Sequence, residues 1–293
     1  MIQVGVTGWG DHDDLYPART PARDKLRIYG QHFPMVEVDS SFYAIQSQAN
    51  YQRWVDITPD DFTFFVKAYQ GMTGHSRGKN QKFAGPGEMF EAFIRSIDPV
   101  VEAGKLNAIL FQFPPWFDCT LDSIRRLRAI RKWMGELPLA IEFRNPSWFQ
   151  SDTREKTVQF MREEGWFHVI CDEPQIGHGS VPTVLEPGAP GKTFIRLHGR
   201  NAAGWKMSSA PNWREVRTLY RYSTEELQEW RDHLNELGKK DAGDIYMIFN
   251  NNSGGDAADN AKEMMALLGM KPTGNAPRQL DLFGETLENN GSV

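Results

Sequence analysis

The side chains able to do chemistry in this chain stand at the ends of apolar runs. Glu37, Glu142, Arg144, Asp172, Arg196 and His198 are the catalytic candidates. In Leu139-Ala140-Ile141-Glu142-Phe143-Arg144, a strand would put Ala140, Glu142 and Arg144 on one face, because side chains alternate. Pro146 then stops the strand. A buried Glu and Arg must pair or titrate, since an isolated buried charge is strongly disfavoured. Such a pair can simply tie strands together, or it can mark a site. Carboxylates beside cations acquire separated pKa values, which acid–base chemistry needs. Glu37 and Glu142 across one opening would form a pair for glycoside-type or isomerase chemistry. Arg144, Arg196 and Lys67 would stabilise the negative charge of a phosphodiester reaction. His198 is a base, a metal ligand or a hydrogen-bonded structural residue. Glu37, Glu142, Asp172 and His198 together would offer an oxygen-rich set suited to Mg²⁺ or Mn²⁺, although no HxH or HExxH motif supports a metal.

These residues need a scaffold that brings strand ends together. Strands are predicted at Ile2–Val6, Met35–Val38, Phe62–Val66, Ala108–Phe113, the run from Leu139, Phe167–Cys171, Thr193–Leu197 and Asp244–Phe249. Helical patterns alternate with them. Their expected starts are Thr20 before Pro21, Ser47, Pro86, an Asp152/Glu155 capping box, a Ser223/Glu226 capping box, and Asp256. A helix stripe runs through Leu121, Ile124, Leu127, Ile130 and Met134. Eight strands alternating with helices predict a single α/β domain, a (β/α)8 TIM-type barrel over residues 1–270. No GxGxxG follows the first strand, which argues against a doubly wound sheet. Residues 271–293 are polar and aperiodic and read as a disordered tail. In such barrels the chemistry sits at the carboxyl ends of the strands. Asp39, Lys67, Gln112 and Asn250 are therefore substrate-binding candidates, and the loop aromatics Trp9, Tyr43 and Trp148 are candidates for stacking on a ring.

Composition narrows the function. A net charge of −5 argues against wholesale coating of nucleic acid but leaves room for local basic patches. The two cysteines, Cys119 and Cys171, show no CxxC spacing, which points to a reducing compartment and away from thiolate clusters. No apolar run approaches a membrane span, so a soluble cytoplasmic protein is expected.

Five ordered motifs resemble a known family. They are Asp39-Ser40-Ser41-Phe42-Tyr43, Phe111-Gln112-Phe113-Pro114-Pro115, Ala140-Ile141-Glu142-Phe143-Arg144 with Trp148, Ile195-Arg196-Leu197-His198-Gly199 and Phe249-Asn250-Asn251. They resemble the YecE-like family, domain of unknown function 72. The resemblance implies a (β/α)8 barrel of unestablished activity, distantly similar to metal-using barrels of the xylose isomerase and endonuclease IV type. The chain lacks the histidine-rich cluster of those enzymes.

The tail carries Gln279-Leu280-Asp281-Leu282-Phe283, which resembles the bacterial sliding-clamp-binding peptide. In that reading Leu282 and Phe283 fill an apolar pocket of the clamp, Gln279 makes polar contacts, and the disordered segment is the tether. Three functions are then open: a barrel enzyme acting on nucleic acid in replication or repair, tethered to the clamp, by a metal-assisted or acid–base phosphodiester reaction; a sugar or small-molecule hydrolase or isomerase; and a noncatalytic binding module. The first is the expectation carried forward.

Overall fold

A strand buried on both faces must be covered inside and outside, and parallel strands achieve this by closing on themselves within a layer of helices. The computed structural model describes residues 1–76, 83–206 and 216–270. Its strands are β1 Ile2–Thr7, β2 Met35–Val38, β3 Thr63–Lys67, β4 Leu106–Gln112, β5 Leu139–Glu142, β6 Trp166–Asp172, β7 Lys192–Leu197 and β8 Asp244–Phe249. They pair in parallel in chain order, and β8 returns to β1 through the register Ile2↔Ile245 to Val6↔Phe249. The result is the expected closed TIM-type barrel. Every residue of β2 and β5 is buried.

Alternation along β7 sets the interior in layers. Phe194, Arg196 and His198 share the inward face, as their spacing predicts. Phe194 meets Phe65 edge to face at 4.1 Å and stacks on Tyr246 at 5.1 Å. This aromatic plug fills one level, and Arg196 and His198 carry charge and polarity towards the carboxyl ends of the strands.

The helix starts divide into those the sequence shows and those it misplaces. Ser47 accepts from the Asn50 amide, and Ser223 and Glu226 form the full capping box. Thr20 does not cap; its hydroxyl donates to the Pro17 carbonyl at 2.7 Å, and the helix Ala22–His32 starts after Pro21. Asp152 and Glu155 form no box, because Thr153 occupies the cap of the helix Arg154–Glu163 and gives its hydroxyl to Ser147 instead. Asp256 is the first helical residue of Asp256–Leu267, preceded by Gly255 at φ 83°, and its carboxylate is held by Arg221. On the helix Leu121–Met134, Leu127, Ile130 and Met134 are buried, whereas Leu121 at the first turn is 71% exposed. Among the described residues no helix is long and apolar enough to cross a membrane.

Removing the plug should therefore cost far more than removing a cap. Phe194→Ala is expected to destabilise by about 3–5 kcal/mol, and Ser223→Ala by about 1 kcal/mol. Chemical denaturation of the two variants checks this, and similar losses would deny the plug its role.

Candidate functional site

The three strands β2, β5 and β7 deliver Glu37, Glu142 and Arg196 to one level of the barrel. Arg196 grips Glu37 with two donors, Nε to Oε2 at 2.8 Å and Nη2 to Oε1 at 2.7 Å. Its Nη1 donates to Glu142 Oε2 at 2.5 Å. Glu142 Oε1 lies 3.1 Å from Arg144 Nη1 and 3.2 Å from His198 Nε2. Arg144 Nη1 also donates to Glu173 Oε2 at 2.7 Å, and the Val181 amide donates to Glu173 Oε1. The line of charge thus runs Glu37, Arg196, Glu142, Arg144, Glu173, all buried. Such a line is tolerated because each charge has a partner; a bidentate guanidinium–carboxylate pair is the strongest of these contacts.

Three carboxylates face two guanidiniums, so the carboxylates cannot all be equally acidic. Burial raises Glu37 above the usual carboxylate range, with Arg196 and Lys67 opposing. Burial works in the same sense on Glu142, but Arg196 and Arg144 outweigh it and hold this group well below that range. Glu173 is pushed up to about 7 by burial, against the pull of Arg144. His198 is pushed down to about 3, by burial and then by Arg144, and is neutral. Asn250 Nδ2 donates to His198 Nδ1 at 2.8 Å, which leaves the imidazole proton on Nε2, facing Glu142.

Above this layer lies a cavity of about 320 Å³ at the barrel mouth. Five of the substrate-binding candidates line it: Asp39, Tyr43, Lys67, Gln112 and Asn250. Lys67 Nζ donates to Asp39 at 2.6 Å and sits over the Phe42 ring. Arg144 joins them, and its Nη2 has no hydrogen-bond partner among the described residues. Glu37, Glu142, Arg196 and His198 lie beneath, without contact with solvent or nearly so.

Three candidates are placed elsewhere. Trp148 is 1% exposed; it stacks on Phe143 at 4.0 Å and donates from Nε1 to the Phe117 carbonyl. Pro146 opens a short 3-10 turn, Pro146–Phe149, which rolls the indole into the core, so its faces are covered. Trp9 packs edge to face on Trp54 rather than lining the cavity. Asp172 is bound by Arg200 through both oxygens at 3.0 Å and by Trp230 Nε1, away from the Glu37–Glu142 layer.

The sequence reading missed Glu173, although Asp172-Glu173-Pro174 closes β6 with two carboxylates. Arg217, which no sequence pattern singled out, lines the cavity from a helical stretch after β7, and His75 lines it from the loop after β3.

The oxygen-rich metal set is not assembled, because Arg196 occupies both Glu37 oxygens and Arg200 occupies Asp172. Glu142, Cys171 and His198 could hold a metal ion instead, with one ligand atom of each within 4.8 Å of the others. A carboxylate, a thiol and an imidazole make a mixed donor set rather than an oxygen-rich one. Burial raises the Cys171 thiol well above its ordinary range, and the two guanidiniums on Glu142 oppose a further cation.

A closed (β/α)8 barrel with a buried ion-pair layer beneath a cationic and aromatic mouth defines the class of protein. The chain belongs to the family described as "Protein of unknown function DUF72", whose model matches residues 3–281. It is 55% identical over 284 residues to the UPF0759 protein YunF of Bacillus subtilis, covering 97% of this chain and all of that protein. A DUF72 family protein from Enterococcus faecalis superposes with a TM-score of 0.87 at 38% identity, covering 96% of this chain and 100% of the other. An AP endonuclease of family 2 from Brucella melitensis superposes with a TM-score of 0.51 at 9% identity, covering 92% and 98%. That last likeness is one of fold.

Stability should follow the opposed shifts of Glu173 and Glu142. Glu173 binds its proton more tightly folded than unfolded, so its contribution is full below about pH 4.5 and is lost as pH rises through about 7. Glu142 behaves oppositely: its contribution is present above its unfolded pKa and is lost as pH falls through its depressed folded value. Glu173→Gln should remove the loss of up to about 3 kcal/mol between pH 5 and pH 8 that the parent shows. Denaturation midpoints at those two pH values test it, and parallel curves for parent and variant would refute it.

Proposed function

We propose that the protein acts on nucleic acid at the barrel mouth, binding a phosphate over Arg144, Lys67 and Arg217. The observation that carries this reading is the cavity itself. Three cations line it together with two half-exposed rings, Tyr43 at 56% and Trp116 at 52%. Phosphates are held by such cations and bases stack on such rings. The chemistry that fits is hydrolysis of a phosphodiester. Asp39, a carboxylate that lines the cavity, takes the proton of the attacking water, whose oxygen bonds to phosphorus as the bond to the leaving oxygen breaks; the leaving oxygen takes a proton from solvent, and Lys67 and Arg144 stabilise the added negative charge. Glu142 acts from below by fixing Arg144 and Arg196. Glu142, Cys171 and His198 are the residues that would hold a metal ion, beneath the cavity and not lining it, and their mixed donors favour a zinc-like ion over Mg²⁺ or Mn²⁺.

A place in DNA replication or repair rests on the peptide Gln279 to Phe283, which lies outside the described residues. Its five residues match the clamp-binding pattern in type and order, and that match supports tethering to the bacterial sliding clamp. The alternative sugar chemistry would need Glu37 and Glu142 facing a substrate. Arg196 stands between them, which weighs against that pair as acid and base. A cavity of about 320 Å³ still suits a small polar ligand.

Three measurements test the proposal. Binding to labelled oligonucleotides should weaken steeply with added salt. Asp39→Asn should lower phosphodiester cleavage by about 100-fold or more, and Glu142→Gln should abolish it with the fold retained. Full turnover in Glu142→Gln would place the site elsewhere. A chain ending at Arg278 should lose binding to purified sliding clamp; equal binding by both forms would remove the tail from the argument.

A further inference from the structure

The cavity is divided by residue type in a way that follows the strand order. Its ring side chains all follow β2, β3 and β4: Phe42, Tyr43, His75, Phe113 and Trp116. The side chains contributed after β5, β7 and β8 include no ring; they are Arg144, Arg217, Thr218, Asn250 and Asn252. Because the barrel closes in chain order, these sets occupy separate arcs of one mouth. The first arc also holds the Lys67–Asp39 ion pair, a donor and an acceptor beside the Phe42 ring. The second arc includes Arg144, a side chain 4% exposed whose Nη2 has no hydrogen-bond partner among the described residues and whose guanidinium lies 5.3 Å from the Trp205 ring. A buried guanidinium N–H without an acceptor is disfavoured, so an anionic oxygen arriving there gains a strong, charge-assisted bond.

From this division we infer that the cavity takes one nucleotide at a time, with its base on the rings of the β2–β4 arc and its phosphate between Lys67 and the arginines of the β5–β8 arc. The inference rests on the nucleic-acid reading above and adds the form of the substrate. A cavity of about 320 Å³ is of the size that encloses a single small ligand. Stacked, paired bases present no free face to Trp116 or Tyr43. The bound chain must therefore offer an unpaired, unstacked nucleotide, as in a single strand or at an extrahelical position.

The test compares labelled DNA of one length in three forms: single-stranded, fully paired, and paired except for one extrahelical nucleotide. Fluorescence anisotropy with the full chain should show the first and third binding at least about 10-fold tighter than the second. Trp116→Ala should weaken the first and third by about 5- to 100-fold, the value of one base stacked on a ring. It should leave the fully paired form unchanged. Competition by thymidine monophosphate should exceed that by thymidine or by inorganic phosphate, and Arg217→Ala should remove that advantage over thymidine. Equal affinity for all three DNAs, or no effect of Trp116→Ala on any, would overturn the inference while leaving nucleic-acid binding intact. Failure of every DNA to bind would overturn the underlying reading as well.

Discussion

Arg196 sits where three strands that are not neighbours, β2, β5 and β7, face one another across the barrel. Its guanidinium closes on Glu37 with two bonds and on Glu142 with a third. Without it two fully buried carboxylates would share a low-dielectric interior, where like charges repel strongly and no water relieves them. With it, each carboxylate has a fixed direction. Glu142 then has one oxygen left for Arg144 and His198, and Arg144 is the member of the layer that reaches the mouth. The electrostatics of the opening are thus set from below.

The interior is ordered in three levels along the barrel axis. An aromatic plug of Phe65, Phe194 and Tyr246 fills the first and excludes water from beneath the charges. The ion-pair layer forms the second. The third is the cavity, lined by polar and ring side chains. Glu37, Glu142 and Glu173 show how position in this series changes one functional group. All three are buried, yet only Glu142 touches both guanidiniums, and it alone is held acidic.

Family membership fixes the scaffold, and the site is what gives it a chemistry. The likeness to an AP endonuclease barrel is a likeness of strand order and helix placement at 9% identity, and it transfers no residue. The residues of the mouth carry the functional argument instead. The loop tryptophans illustrate the difference. Trp116 and Trp148 both follow a proline in a strand-end loop, but one stands half exposed over the cavity and the other is sealed under Phe143.

Much of this was legible in the chain alone. Apolar runs ending in polar residues, separated by helical periods, pointed to eight parallel strands covered on both faces, and with no GxGxxG after the first strand to support a doubly wound sheet, to a barrel. Alternation put Phe194, Arg196 and His198 on one inward face, and strand ends gathered Asp39, Lys67, Gln112, Arg144 and Asn250 at the mouth. Local patterns resolved less well where tertiary partners compete. Thr20, Asp152 and Asp256 have capping side chains, but other groups claim them or the backbone starts the helix a residue away. Alternation names a face and says nothing of who meets across the barrel. Only the closed structure put Arg196 between Glu37 and Glu142, drew Asp172 away to Arg200 and Trp230, and turned Trp148 inward. Those outcomes depend on distances between residues far apart in sequence, and such distances are set by closure of the sheet rather than by any local preference.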